Sequence, residues 1–283
     1  MARRLIGTVS ALARYPFKSM LGEHLDQLEF TEHGAIGDRA YALREVVTGQ
    51  IASAKKFPRL FEFRAAYDSP PAPGRINPLT ITLPDSRKIH AEDPDAAEVI
   101  SAALGRKMKL ERSATAHDER AGIDPATIFA DVPFDKIFPG MKVMPDHFRL
   151  EKASFFDTAV MHVIATGTLR HMAKLAPGSN FDPRRFRPTI LVDTGERDDA
   201  FLEDEWTAGT LEVGDHLKIV AMQPALRCVM TTHPQQEPQR ESLQRDYGVL
   251  RTAAFHHQAN VGVFASIGAG GMVRVGAPVY LVQ

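Results

Sequence analysis

Apolar and polar residues alternate along this chain over short stretches, with turn-forming residues between them. That period of two predicts strands. "LIGTVSAL" near the start, "RAYALRE" at 39–45, "LFEFRAAY" at 60–67, "LTITLP" at 79–84 and "KMKLERS" at 107–113 all read this way. "DSPPAPGRINP" at 68–78 is a loop by composition. The period changes at 93–105, where Val99, Ile100, Ala103 and Leu104 make the apolar stripe of a helix. Asp93 stands as its cap, Pro94 in its first turn and Gly105 at its stop. Residues 114–150 lose the regular pattern but keep Ile128, Phe129, Phe134, Ile137 and Phe138. They predict a long connection that crosses between two halves and packs over the surface rather than plain disorder. Strand patterns resume at 159–166 and 189–193, with a short helix at 167–177. Residues 211–227 read as a hairpin about Gly214 and Asp215, and "NVGVFASIG" and "MVRVGAPVYLVQ" close the chain as strands. Strands outnumber helices and few sit at βαβ spacing. The expected fold class is therefore mixed but mainly β and rich in barrels, not a doubly wound parallel sheet.

Composition narrows the function classes. The chain has 283 residues, enough for one large domain or two ordinary ones, and 44% are hydrophobic. Lys and Arg number 34 against 35 Asp and Glu, a formal net charge of -1. A global field for nucleic acid or membrane surfaces is not expected, so any anion site must be local. The one cysteine excludes an intrachain disulfide and a cysteine-ligated zinc or iron–sulfur cluster. "MARRLIGTVSALARYPF" loosely imitates a secretion signal, but its apolar stretch is short and holds Gly7, Thr8 and Ser10. It reads better as a first strand, which makes the cytoplasm the expected location. No apolar run reaches the roughly 20 residues a bilayer span needs.

The lone Cys228 sits in "ALRCVMTT". Three readings stand side by side there: a small buried core residue, a soft ligand for a heavier metal, or a nucleophile. Arg227 would favour the thiolate if the two side chains met, although strand neighbours point to opposite faces. The chain turns at "TTHP", which would bring the sulfur toward the surface. "YPFKSMLGEHL" breaks a strand at Pro16 and presents Lys18 and Ser19, a charge and a hydroxyl suited to phosphate. "GAIGDRAYAL" and "RRFRPTILVD" place Arg39 and Arg187 at strand starts. Singly, each of these reads as a solvated basic residue near a turn. None of the glycine stretches is a P-loop or a dinucleotide fingerprint. His256 and His257 would point to opposite sides of a strand, His162 reads as a core histidine, and Trp206 reads as a packing anchor.

Taken in order, "YPFKS", "GDRAYAL", "FFDTAVMHVIATGTL", "RRFRPTILVD", "AFLEDEWTAGTLEVGD" and "RCVMTT" resemble the MOSC family, named for the C-terminal domain of molybdenum-cofactor sulfurases. The resemblance covers nearly the whole chain. It implies an N-terminal β-barrel domain over 1–120 and a MOSC β-barrel domain with a few short helices over 121–283. It implies a molybdenum–pterin cofactor (Mo-molybdopterin), with Cys228 as the protein's ligand to the metal and the catalytic position. Lys18, Ser19, Arg39 and Arg187 would line the pterin and its phosphate, and Thr168 would add a hydrogen bond. Pyridoxal phosphate is not expected. The family's Arg-Pro-Asn is Arg187-Pro188-Thr189 here, and Leu226 stands where a small polar residue is usual. Both changes bear on the substrate pocket.

Family members such as the amidoxime-reducing component and its bacterial relatives reductively remove oxygen from N-hydroxylated compounds. The resemblance therefore implies an oxidoreductase acting on an N-oxygenated small molecule. Its electrons would come from a separate donor, such as a ferredoxin-like [2Fe–2S] protein or a cytochrome, since the cysteines for a built-in cluster are missing. The alternative from the same resemblance is a carrier of cofactor, or of persulfide sulfur on Cys228.

Overall fold

A computed structural model describes residues 2–73, 75, 77–113, 155–237 and 240–283. The connection expected over 114–150 lies outside the described residues. Seven strands close into a barrel. The order around it is β11 (Ile190–Asp193), β10 (Met161–Ala165), β14 (Asn260–Ala269), β13 (Leu217–Leu226), β12 (Thr210–Val213), β16 (Pro278–Val282) and β1 (Arg3–Arg14). β1 returns to β11 with Leu12 opposite Ile190. Only the β10–β11 pair is parallel, with Val163 opposite Ile190. The fold is thus mainly β with barrel closure, as the alternation implies. The first strand of the chain completes a barrel made otherwise from its second half.

Alternation sets the barrel's interior. Leu217, Ile219 and Ala221 of β13 point inward with Leu211 and Val213 of β12, Val263 and Ala265 of β14, and Trp206. β10 is buried at every position. Its outer face is covered as well, because Ile164 packs under α2 (Thr166–Leu175) and α3 (Tyr247–His257) with Leu169, Met172, Phe186 and Val249. A strand buried on both faces reads as a continuous apolar run, and "MHVIA" is one.

A second core fills the N-terminal half. There β5 (Tyr41–Glu45) pairs with β9 (Met108–Arg112). β6 (Arg64–Tyr67), β7 (Leu79–Thr82) and β8 (Lys88–His90) form a three-stranded sheet, and α1 (Ala96–Leu104) packs on them. Short strands β2 (Glu23–Leu25), β3 (Gln27–Thr31), β4 (Gly34–Ala35) and β15 (Gly271–Arg274) join the two halves.

Three expectations change. "LFEFRAAY" is a strand only from Arg64, because Pro58 opens a 3-10 turn, Pro58–Glu62, that turns Leu60 and Phe61 into the core together. Asp93 accepts from the His90 backbone N–H instead of capping α1, which begins after Asp95. His256 and His257 are not on a strand but in the last turn of α3, a helix the sequence pattern hides because Phe255 faces out. Asp246 starts that helix, accepting from the Gly248 N–H at 2.9 Å.

Candidate functional site

Where β1 leaves the barrel, residues 15–21 run alongside residues 39–41. The backbone N–H of Arg39 donates to Tyr15 O at 2.9 Å, that of Tyr41 to Pro16 O at 3.0 Å, and that of Lys18 to Tyr41 O at 2.8 Å. This ladder carries Lys18 and Arg39 to the same place. From the barrel side, the turn before β11 delivers Arg187. Its Cζ lies 4.0 Å from the centroid of the Tyr15 ring, and that of Arg39 lies 4.6 Å from it. Asp38 holds Arg39 through both carboxylate oxygens and also accepts from the Tyr15 N–H at 2.8 Å. Lys18 donates to Asp157 and to the Phe155 carbonyl at 2.8 Å. Ser19, Arg39 and Arg187 all have left-handed backbones, with φ of 65°, 47° and 55°. Non-glycine residues adopt that region at a cost, and such positions concentrate at functional sites.

Cys228 follows β13, which ends at Leu226, and keeps an extended backbone with φ of −129° and ψ of −177°. It stands next to Arg227, whose charge also interacts with Tyr15 and Arg39 of this cluster. Cys228 stands half-buried at the head of the 3-10 turn Val229–Thr232. Thr231 fixes the turn, donating to the Cys228 carbonyl from both its N–H at 3.1 Å and its hydroxyl at 3.0 Å. The Thr232 hydroxyl does the same to Val229 at 2.8 Å. The two threonines thus hold the cysteine's backbone. Arg227 donates from Nη2 to Phe186 O at 2.8 Å and reaches His162 Nε2 from Nη1 at 3.4 Å, while its Nε is buried with no partner.

Burial pushes the Arg227 guanidinium down to about 10, with the nearby Cys228 pulling it back up. Arg187 is likewise pushed to about 10, first by burial and then by repulsion from Arg39. Burial lowers Lys18, against the pull of Asp157. Burial alone would raise the Asp157 carboxyl, but Lys18, Lys55 and Arg39 overcome it and hold it at about 2. Burial, then Arg227, drives His162 well below the ordinary imidazole value, so the ring is neutral; its Nε2–H donates to the Val261 carbonyl at 3.1 Å, with the Arg227 guanidinium packed beside it. His162 is a core histidine, as its apolar strand implies, and it also props an arginine of the site. Gly262 makes room for it: at φ +83, a Cβ there would lie 2.5 Å from His162 Nε2. Gly262→Ala is expected to cost more than about 1 kcal/mol through the backbone alone and to displace His162. Chemical denaturation, together with the His162 ring proton shifts, measures both effects.

Two carboxylates, Asp38 and Asp157, answer Arg39 and Lys18. Arg187 and Arg227 form no ion pair among the described residues. An unpaired buried guanidinium such as Arg187 costs several kcal/mol, a cost an anionic ligand would offset, and the half-buried Arg227 adds to it. A pterin phosphate and a dithiolene are anions of that kind, and the free sulfur of Cys228 beside them suits a soft metal. Among the described residues no three His, Cys, Asp or Glu side chains form a metal site. The residues present fit the group.

The structure brings Arg39 and Arg187 to the Tyr15 ring, sets Lys18 within reach of the Arg39 charge, and connects Cys228 to them through its neighbour Arg227. Ser19 joins them in a supporting position: its hydroxyl accepts from the Ala54 N–H at 3.0 Å and tethers the loop carrying Lys55. Thr168 is elsewhere. It lies in the first turn of α2, beyond the end of β10 opposite His162, and its hydroxyl is engaged by Glu203 and by the Leu202 N–H at 2.9 Å. Burial pushes the Glu203 carboxyl up to about 7 despite those donors. Its protonated form therefore stabilises the fold fully below about 4.5, and that contribution is lost as pH rises through about 7. The loss amounts to something on the order of 3 kcal/mol across the window. Urea midpoints at pH 5 and pH 8 are expected to converge in Glu203→Gln. Tyr15, Lys55, Arg227 and His162 were not singled out from the sequence for this site. Only Arg227, adjacent to the lone cysteine, carried a signal.

Family models for the MOSC N-terminal beta barrel domain and the MOSC domain match residues 6–122 and 151–280, and the chain belongs to the MOSC family. MOSC domains are associated with binding of molybdenum cofactor. No curated protein is matched significantly. Among solved structures, the YUAD protein from Bacillus subtilis is 9% identical, with 100% of this chain and 99% of that one covered and a TM-score of 0.47. YiiM from Geobacillus stearothermophilus (13% identical) and YiiM from Escherichia coli (16%) each match 44% of this chain and 55% of their own, with a TM-score of 0.30. No helix among the described residues is long and apolar enough to cross a membrane.

Proposed function

We propose that the protein is a molybdenum-cofactor-dependent oxidoreductase that reduces N-hydroxylated or similarly N-oxygenated small molecules with electrons from a separate redox protein. One observation supports it above the others: Arg227, half-buried next to Cys228, interacts electrostatically with that cysteine, Tyr15 and Arg39, the last two also act on the buried Arg187, and neither Arg187 nor Arg227 has an ion pair among the described residues. In this reading Cys228 is the protein's ligand to molybdenum. Lys18, Arg39, Arg187 and Arg227 hold the pterin and its phosphate. Asp38 keeps the Arg39 fork oriented, neutral His162 keeps Arg227 forward, and the Tyr15 ring spaces Arg39 from Arg187. When bound, the cofactor supplies two-electron oxygen-atom chemistry at its metal. For a hydroxylamine the balance is R–NH–OH + 2 H⁺ + 2 e⁻ → R–NH2 + H2O. The N–O bond breaks, nitrogen gains two electrons, and solvent supplies both protons.

Protein made in a host that synthesises the cofactor is expected to carry near-stoichiometric molybdenum with pterin. It should also reduce an aromatic amidoxime when reduced methyl viologen is the donor. Molybdenum-free protein from such a host would overturn the assignment, and a labile extra sulfur on Cys228 by mass spectrometry would point to a persulfide carrier instead.

A further inference from the structure

The outer face of α3 is an unusual surface for a helix so close to the site. Tyr247 and Phe255 are 57% and 81% exposed, and Arg251 lies between them. These three, at i, i+4 and i+8, form one stripe about 12 Å long. Arg245 extends it, with its Nη1 3.4 Å from the Tyr247 hydroxyl. The helix contains no Asp or Glu. The Asp246 carboxylate before it is turned to Ser179, Asn180 and Gly248. Arg251 has no ion pair among the described residues. In a chain with a net charge of -1, this is a local concentration of cation and aromatic surface.

Both ends of α3 are tied to the cysteine turn. The Asp246 N–H donates to Thr232 O at 3.0 Å, and the Arg227 N–H donates to Ala259 O at 2.7 Å. The stripe therefore sits about one helix diameter, roughly 10 Å, above the turn that carries Cys228.

We infer that this stripe is the docking face for the electron donor, and that the donor is an acidic one-electron [2Fe–2S] protein. The inference rests on the molybdenum-reductase reading, which requires two such one-electron deliveries for each substrate reduced. Charge complementarity selects the occupant: exposed arginines steer a carboxylate-rich surface, and Tyr247 and Phe255 supply aromatic anchors of the sort that interfaces concentrate at their centres. The carrier is oxidised by one electron at each visit, and the two electrons are consumed with two protons in cleaving the N–O bond.

The test compares two donors on the loaded protein: reduced methyl viologen, and a plant-type [2Fe–2S] ferredoxin kept reduced by its NADPH-dependent reductase. Arg251→Glu with Phe255→Ser is expected to leave viologen-driven turnover unchanged. The same double variant should lower kcat/KM for ferredoxin by about tenfold, as loss of a steering charge and an anchor does. Ferredoxin-driven turnover of the parent should fall as salt rises. Lys88→Glu, on β8, should do nothing. Ferredoxin-driven rates unchanged in the double variant, or lowered equally by Lys88→Glu, would overturn the inference. So would a parent that accepts electrons from viologen but not from ferredoxin, or a stripe that light scattering shows to be a contact between two copies of this chain. Loss of viologen-driven turnover in the parent would remove the reductase reading and this inference with it. Direct binding of oxidised ferredoxin separates that failure from a wrong docking face.

Discussion

Cys228→Ser is expected to empty the protein of molybdenum and abolish amidoxime reduction while leaving the fold as stable as before. The sulfur makes no hydrogen bond that the fold depends on. The turn that carries it is held through backbone and threonine groups: the Cys228 carbonyl by Thr231, and the Val229 carbonyl by the Thr232 hydroxyl. Replacing sulfur by a hydroxyl at a half-buried position removes little packing, and substitutions away from core, caps and buried networks stay within about 0.5 kcal/mol. The chemistry changes far more than the packing does. A neutral alcohol is a hard, weak ligand, whereas a soft thiolate suits molybdenum. The surrounding arginines remain, so pterin freed of metal would still be retained more strongly than by a variant lacking the cations. Metal content by elemental analysis, pterin content by fluorescence after oxidation and unfolding midpoint give three separate readings. If Cys228→Ser keeps both its metal and its turnover, the sulfur is not the ligand.

The barrel was legible in the sequence because alternation is a local signal. Each of "LEV", "LKIVA" and "NVGVFA" states which residues face in, and the β10–β11, β12–β13 and β13–β14 pairings follow chain order. That β1 crosses to β11 was not legible, since no local pattern records which distant edge a strand must seal. α3 was missed because its outward Phe255 breaks the amphipathic period, and an exposed aromatic looks like core in a one-dimensional reading. At the site, Lys18, Arg39 and Arg187 were readable as basic residues at strand breaks and through the family resemblance. The convergence of Arg39 and Arg187 on the Tyr15 ring belongs to the tertiary fold. Thr168 misled for a physical reason: a threonine one turn into a helix is as useful to a buried carboxyl as to a ligand, and here Glu203 occupies it. Whether Arg227 meets the Cys228 thiol stayed open in the sequence, because strand neighbours point to opposite faces; in the structure the two interact electrostatically.

Arg185 and Arg187, two residues apart in "RRFRP", are expected to fail in opposite ways when each is replaced by methionine. Arg185 is 1% exposed and donates only to backbone carbonyls. Its acceptors are Asn180 at 2.9 Å, Gln244 at 2.8 Å, and Thr231 and His233 at 3.4 Å. It stitches the cysteine turn to the segment before α3 and to the loop after α2, and burial lowers its guanidinium accordingly. Arg185→Met leaves those carbonyls buried without donors, at a cost of about 3–5 kcal/mol, the range found when one partner of a buried charged network is removed. The Arg187 guanidinium makes one hydrogen bond among the described residues, to Met20 O at 2.7 Å, and shares its surroundings with the repelling charge of Arg39. Arg187→Met loses that bond and the stacking on Tyr15, together about 1–2 kcal/mol, and is relieved of an unpaired buried charge that costs at least as much. The cofactor-free variant should therefore be as stable as the parent or more so. Its retention of cofactor should drop sharply, because the charge-assisted donor to the phosphate is gone. Urea unfolding of the apo proteins and pterin content of the loaded ones separate the two arginines. Arg187→Met unfolding as early as Arg185→Met would mean that Arg187 braces the fold and that the cluster was not arranged for an anion.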